Sequence, residues 1–250
     1  MLRTKKSWLP ALLLLAVAFT LPALAEVREE FHKTIPMDAN GVFSLKNVNG
    51  DVTIEAWDRN EVQLDAVKTG RSQEKLNEAR IVEMGSGHSI DVETKYPDHS
   101  NNSASVSYTV KVPRDTNLRA AESVNGTVKV NGVRGRVKAG TVNGNVEVWS
   151  AVAELEAETV NGSVKASLAG PQVKRTKLST VNGEVAVQIP ANANAKIKAS
   201  TVNGSIHSDL PVEVNKPKYG PGANVNSNLN AGGETIEMES VNGGIYLHKS

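Results

Sequence analysis

The sequence predicts an all-β fold, a single-stranded parallel β-helix (β-solenoid) with rungs of about 18–21 residues and one short helical insertion. Three observations predict it. The tripeptide Val-Asn-Gly occurs seven times, with its valine at Val48, Val124, Val142, Val160, Val181, Val202 and Val241, and the spacings through the middle are 18, 18, 21 and 21 residues. A fixed period of this order marks stacked units that bury their apolar faces only against neighbours. Apolar residues alternate on both sides of each tripeptide, and outward charges change sign from one repeat to the next.

The chain begins with a leader. Arg3, Lys5 and Lys6 precede the apolar stretch from Pro10 to Leu21, and Ala23-Leu24-Ala25 forms a small-x-small cleavage site. This reads as a secretory signal peptide over residues 1–25, with a β-solenoid domain over 26–250. The apolar run is short for a membrane span, and the mature chain holds no transmembrane segment. Without the leader, 25 basic residues face 27 acidic ones, a net charge of −2. A nearly neutral surface argues against nucleic acid as a partner. The chain has no cysteine, which excludes disulfides, thiolate metal sites, a lipid-modified cysteine and a cysteine nucleophile.

Counting each tripeptide valine as position zero, positions +4 and +6 are apolar, as in Val52 and Ile54, Val128 and Val130, and Val146 and Val148. Positions −3 and −5 are apolar as well, as in Leu45 and Phe43, Ala139 and Val137, and Leu178. Each repeat is therefore two period-2 strands flanking Asn-Gly. Asn-Gly between such strands also signals a two-residue hairpin. That alternative would send every tripeptide valine to the polar face, whereas a solenoid corner can break the alternation and turn the valine inward. The corner repeat comprises Asn49-Gly50, Asn125-Gly126, Asn143-Gly144, Asn161-Gly162, Asn182-Gly183, Asn203-Gly204 and Asn242-Gly243. Its glycines, Gly162 among them, are expected at positive φ, and its asparagines either form a hydrogen-bonded ladder or only tolerate the bend.

Register is read from the outward positions. Lys129, Glu147 and Lys165 at +5, and Lys138, Glu156 and Lys177 at −4, become opposite-charge neighbours when successive rungs stack in register. The wider gaps, 76 residues before Val124 and 39 before Val241, are near four and two periods and imply rungs without the tripeptide. In the first gap, strands are expected at 62–68 and 90–94, a helix at 72–81 capped by Ser72, and a polar loop at 98–103. Residues 215–233, rich in Pro, Gly and Asn, read as a long surface loop. The final rung, 236–247, stops three residues before the chain end, leaving a C-terminal edge suited to self-association unless the long loop folds over it.

Two further stretches carry a family resemblance. Val110-Lys-Val-Pro113 with Leu118 and the run Asn125 to Val137, and the ending Gly232 to Leu247, resemble the putative adhesin family of secreted bacterial β-solenoids, a domain of unknown function known as DUF4097. The resemblance covers roughly residues 41–247. It implies a parallel β-helix and a cell-envelope or extracellular setting, and supplies no catalytic residues.

Chemistry-bearing clusters are sparse. Glu147, Glu154, Glu156 and Glu158 stand near Lys138, Lys165 and Lys177, but their signs alternate along outward positions, as on a solvated face. Of His32, His88, His99, His207 and His248, none has a second histidine at metal-ligand spacing; His207 and Asp209 are the pair closest to meeting. Trp57 and Trp149 are the outward aromatics that a sugar platform would use. The expected function is a non-enzymatic, exported, periplasmic or surface module without cofactor or metal, binding a protein or carbohydrate of the envelope. The alternatives are a glycan-active enzyme on the same scaffold and a self-assembling filament.

Overall fold

The computed structural model describes residues 26–98 and 104–250; the expected leader at 1–25, with its expected cleavage site, lies outside the described residues, as do His99 and most of the expected 98–103 loop. The chain winds between two sheets that face each other across one apolar core. Strand β1 (Val27–Lys46) serves both sheets. It is followed by β2 (Val52–Trp57), β3 (Glu61–Gly70), helix α1 (Gln73–Glu78), β4 (Arg80–Lys95), β5 (Ser105–Pro113), β6 (Asn117–Asn125), β7 (Val128–Asn131), β8 (Val137–Asn143) and β9 (Val146–Ala151). Then come β10 (Leu155–Asn161), β11 (Val164–Leu168), β12 (Thr176–Asn182), β13 (Val185–Ile189), β14 (Ala195–Asn203), β15 (Ile206–Ser208), β16 (Ala223–Leu229), β17 (Thr235–Asn242) and β18 (Ile245–Lys249).

Each repeat contributes one strand to each sheet. The strands before the tripeptide form the sheet β4-β1-β6-β8-β10-β12-β17-β14-β16, here the leading sheet. The strands after it form the trailing sheet β1-β3-β5-β2-β7-β9-β11-β13-β18-β15. Neighbouring rungs are parallel and in register, with Asn143 beside Asn161 and Asn161 beside Asn182. The alternation explains the core: Leu45, Ala121, Ala139, Ala157, Leu178, Met238 and Ala199 at −3, and Val52, Val128, Val146, Val164, Val185, Ile245 and Ile206 at +4, are all buried. At roughly 25 cal/mol per Å² of apolar area removed from water, each rung is stabilised chiefly by this ladder of aliphatic side chains.

The stack is not purely parallel. At one end β3 runs antiparallel to both β1 and β5, and at the other β16 runs antiparallel to β14. β16 covers the outer edge of β14 in the leading sheet, and β3 with the first part of β1 extends the trailing sheet antiparallel beyond β5. Helix α1 lies in the first of these excursions. Its N-cap Ser72 accepts from the Lys75 amide, its Leu76 is buried, and it stops at Glu78, short of the expected end at 81, where Ala79 turns extended and β4 begins.

Rung order departs from chain order in both wide gaps. The rungs of Val48 and Val124 are direct neighbours, with β2 beside β7 and β1 beside β6. The segment between them adds one rung without the tripeptide on the far side of the Val48 rung, β4 lying parallel beside β1 and β5 parallel beside β2, together with the antiparallel β3 and helix α1, rather than rungs stacked between Val48 and Val124. The 39-residue gap contains no extra rung: β17 inserts between β12 and β14, and β18 between β13 and β15. The C-terminal rung is consequently interior and paired on both sides, which removes it as an exposed edge for self-association. The terminal rung is the one ending in Asn203. Within the expected 215–233 loop, β16 pairs along β14, and Ala223, Val225 and Leu229 are buried.

Candidate functional site: the Asn-Gly corner and the face beside it

The corner follows from where the alternation breaks. Positions −5, −3 and −1 point inward along the leading strand, and +4 and +6 point inward along the trailing one, so the change of parity falls between −1 and +4, at Asn-Gly. The tripeptide valine, on the outward parity, is exposed: Val142 and Val160 are 40% accessible and Val202 is 57%. This corrects the expectation that the corner turns the valine inward. The solenoid forms although its valines line the solvent face.

What fills the inward corner position is a hydroxyl column. Ser123, Thr141, Thr159, Thr180, Ser240 and Thr201 occupy position −1, and all six are buried. Each donates to the corner glycine carbonyl of the neighbouring rung: Thr159 to Gly144 at 2.9 Å, Thr180 to Gly162 at 2.8 Å, Ser240 to Gly183 at 3.1 Å and Thr201 to Gly243 at 2.8 Å, for example. In the first rung Asn47 replaces the hydroxyl, and its amide reaches Gly50 O at 3.0 Å and Val106 O at 2.8 Å. Buried carbonyls left without a donor would cost about 1–3 kcal/mol each, so these hydroxyls satisfy the backbone where the strand ladder is interrupted. The recurrence of Ser or Thr at −1 was visible in the sequence and is the signal that locates the parity change.

The asparagines form a continuous side-chain ladder. Asn125 donates to Asn49, Asn143 to Asn125 and Asn161 to Asn143, each at 2.8 Å; Asn182 donates to Asn161, Asn242 to Asn182 and Asn203 to Asn242, each at 2.9 Å. An amide carries both donor and acceptor, so one residue type repeats without limit along a stack. The glycines are required by contact more than by dihedral. A Cβ on Gly162 would lie 1.9 Å from Gly144 O, and one on Gly243 1.8 Å from Gly183 O. Gly162 does have φ 153°, whereas Gly126, Gly204 and Gly243 lack a positive φ yet meet the same wall.

The outer surface of the leading sheet continues this regularity. Lys138 bonds Glu156 at 3.2 Å and Arg136 meets Glu154 at 2.9 Å, each pair bridging adjacent rungs. The hydrogen bond that Lys138 donates to Glu156 raises the pKa of Lys138. A groove of about 770 Å³ runs along the start of these strands, lined by Arg119, Arg136, Lys138, Arg175 and Lys177 with Glu154 and Glu156. A second, of about 670 Å³, follows the valine column and is bordered by Glu122, Glu158 and Glu239.

This architecture has relatives. The model of the family described as Toastrack DUF4097 matches residues 34–247. The chain belongs to that family. Among solved structures, a putative cell adhesion protein from Clostridium sporogenes shares the fold, with a TM-score of 0.52 and 16% identity over 90% of this chain and 100% of that one. A putative adhesin from Bacteroides fragilis overlaps more loosely, at a TM-score of 0.41 and 10% identity over 90% of this chain and 98% of its own. No curated protein matches the chain.

In this Toastrack chain the carboxylates singled out from sequence divide between the two sheets. Glu147 pairs with Lys129 at 3.7 Å on the trailing sheet, while Glu154 and Glu156 pair with cations on the leading one. His207 and Asp209 do not meet either. Asp209 contacts His248 at 3.2 Å, and His207 stacks on Tyr246 with ring centroids 5.3 Å apart, because β18 inserts beside β15. Among the described residues no group of three potential metal ligands is assembled. Trp57 donates to Glu61 O at 2.8 Å and lies under Arg59 and Lys111, so it covers a strand end. Among the described residues no helix is long and apolar enough to cross a membrane.

Proposed function

We propose that this protein is an exported module of the bacterial envelope, periplasmic or at the surface, which acts by binding or by structure and not by catalysis. The observation that carries this reading is the leading-sheet face: a regular, rigid array of outward side chains in register, whose acids and bases neutralise one another between rungs. Such a surface offers extended complementarity to a polymer or another protein, and its groove carboxylates Glu154 and Glu156 are each engaged by a cation of the adjacent rung, Arg136 and Lys138. The family membership and the fold shared with a structure named as a cell adhesion protein support the same direction. The partner chemistry that fits is a protein or carbohydrate of the envelope.

Cell fractionation with intact-mass measurement tests export: the protein is expected outside the cytoplasm with its first residue at Glu26. Binding of labelled protein to isolated envelopes, compared with release of reducing ends from the same material, tests the rest. Retention of residues 1–25 in the cytoplasm rejects export, and glycan cleavage that tracks the purified protein rejects the non-catalytic reading.

A further inference from the structure

The leading-sheet face carries a pattern that its internal ion pairs do not exhaust. Read in spatial order, position −4 is Lys138, Glu156, Lys177, Glu237 and Lys198, an unbroken alternation of sign across five adjacent rungs. Position −2 alternates acid with neutral through the Val124 rung and these five: Glu122, Gly140, Glu158, Ser179, Glu239 and Ser200. Each rung is thus a charged band, and the bands alternate along the stack. Beside them runs the column of valines, about two-fifths exposed and bordering a groove with no described segment of the chain laid over it.

The period of this face selects its occupant. Outward groups recur every ~4.8 Å, the spacing of hydrogen-bonded strands, whereas a helix repeats at ~5.4 Å per turn and an extended strand at ~6.8 Å per side-chain pair. Over the five intervals from the Val124 rung to the Val202 rung, a helix would drift by roughly 3 Å and an extended chain by roughly 10 Å. Only another β-stack stays in step, and the chain itself is one.

We infer that the leading-sheet face is an isologous interface between two copies of this chain, related by a two-fold axis parallel to the strands and lying between the Val160 and Val181 rungs. Such an axis reverses the stacking direction and leaves each column facing itself. Glu156 then faces the partner's Lys177, and Lys138 faces the partner's Glu237. At position −2, Glu158 faces the partner's Ser179 and Gly140 the partner's Glu239, so no acid meets an acid. The valine column closes on the valine column as a dry seam. Moving the axis onto a rung would place like bands opposite one another, so the alternation confines it to the gaps between rungs, and the fullest overlap of the six rungs puts it in the central gap. The projected face is roughly 600 Å² per copy, from six rungs at ~4.8 Å and six steps along the strand at ~3.3 Å. That yields roughly 1,200 Å² in all, the lower bound for a specific interface. Regular side-chain ladders keep such a face flat enough for columns to stay aligned.

Sedimentation velocity of the purified protein over a micromolar concentration series tests this, with circular dichroism and melting to establish folding. The wild type is expected to shift from monomer to dimer, and to revert when salt is raised. Two charge variants are then made: Lys138→Glu with Lys177→Glu and Lys198→Glu, which makes position −4 acidic throughout, and Glu156→Lys with Glu237→Lys, which makes it cationic throughout. Each alone is expected to be monomeric, and their mixture to recover the dimer. Because crowding like charges on adjacent rungs can unfold a variant, Val142→Glu with Val181→Glu, two rungs apart, serves as a second probe; both sites are exposed in the single chain, so the fold survives and the dimer is lost. Lys129→Glu with Lys165→Glu, on the trailing sheet, is expected to leave it intact. A wild type that stays monomeric through the series, as when the face serves a carbohydrate or an unrelated protein, overturns the inference. So does a dimer that survives Val142→Glu with Val181→Glu, or two folded charge variants whose mixture stays monomeric.

Discussion

Replacing Gly162 by alanine should be among the most damaging single-methyl changes this chain can suffer. The added Cβ would sit 1.9 Å from Gly144 O and 2.6 Å from Gly144 C, both backbone atoms of the neighbouring rung. A carbon normally stays about 3.3 Å from a carbonyl oxygen, so the two corners must part by well over 1 Å. Three bonds bridge them at that point: Gly144 N to Asn161 O at 3.0 Å, Asn161 Nδ2 to Asn143 Oδ1 at 2.8 Å and Thr159 Oγ1 to Gly144 O at 2.9 Å. Stretched by that amount, all three fail, at about 1 kcal/mol each. A side chain at φ 153° adds about 1 kcal/mol more, giving roughly 4 kcal/mol in total. For a domain of this size the melting temperature should fall by about 8–16 °C. Gly170→Ala is the control, because Gly170 has φ 84° but a Cβ there meets nothing within 4 Å. It should cost only about 1–2 kcal/mol, the dihedral part. Thermal melts of the two variants decide the matter. Equal losses would show that the dihedral, not the close approach of stacked rungs, requires glycine at the corner.

Other consequences are testable in the same way. Thr180→Val keeps the shape but removes the hydroxyl donated to Gly162 O at 2.8 Å, and should lower stability by about 1–2 kcal/mol in urea titration, with Thr180→Ser recovering most of it. Lys165→Ala on the exposed trailing face should change stability by less than about 0.5 kcal/mol, a result that a denaturant midpoint can check. His32 is hydrogen-bonded to Asp65 at 2.8 Å, which raises its pKa, while hydrogen bonds from His32 and Gln63 outweigh desolvation and lower that of Asp65. The histidine's contribution is complete below its ordinary value of 6.5 and is lost as pH rises through its raised value; the aspartate's is present above 3.8 and is lost as pH falls through its lowered value. The pair therefore supports the β1–β3 join best between those two ordinary values, and an NMR titration should find His32 titrating above 6.5 in the wild type and lower after Asp65→Asn.

Much of this architecture can be read from the chain because a solenoid writes its period into the sequence. The apolar columns at −5, −3, +4 and +6 place the two sheets correctly, and Ser72 followed by helix formers places α1. The valine was misplaced because the break in alternation was assigned to the most hydrophobic residue of the motif. The buried hydroxyls at −1 show that backbone satisfaction, not hydrophobicity, chooses the inward corner residue. Strand β16 was hidden by composition: its inward positions are Ala223, Val225, Ser227 and Leu229, too weak an alternation to stand out among Asn, Gly and Pro. The rung order failed for a different reason. Spacing arithmetic assumes that the chain visits rungs in sequence, and β17 does not.

The outward charges nevertheless encode the true order, and this supplies the most decisive test of the fold. In chain order position −4 ends Lys177, Lys198, Glu237, which places two lysines side by side; in spatial order Glu237 lies between them, paired in register with both. Position −2 obeys the same rule, with Glu239 between Ser179 and Ser200. Parallel neighbours ~4.8 Å apart suit a disulfide, whose Cα atoms lie about 4.4–6.8 Å apart, whereas residues two rungs apart, at ~9.6 Å, cannot be bridged. The native chain has no cysteine, so paired substitutions report without interference. Ser179→Cys with Glu239→Cys, and Ser200→Cys with Glu239→Cys, should each oxidise to an internal disulfide, seen as a loss of two mass units and a gel shift that reductant reverses. Ser179→Cys with Ser200→Cys should remain a free dithiol. A stack built in chain order reverses the outcome for the first and third pairs, joining Ser179 to Ser200 and leaving Ser179 and Glu239 apart. That pattern would show that the last strand pair of the chain caps the solenoid instead of being threaded into it.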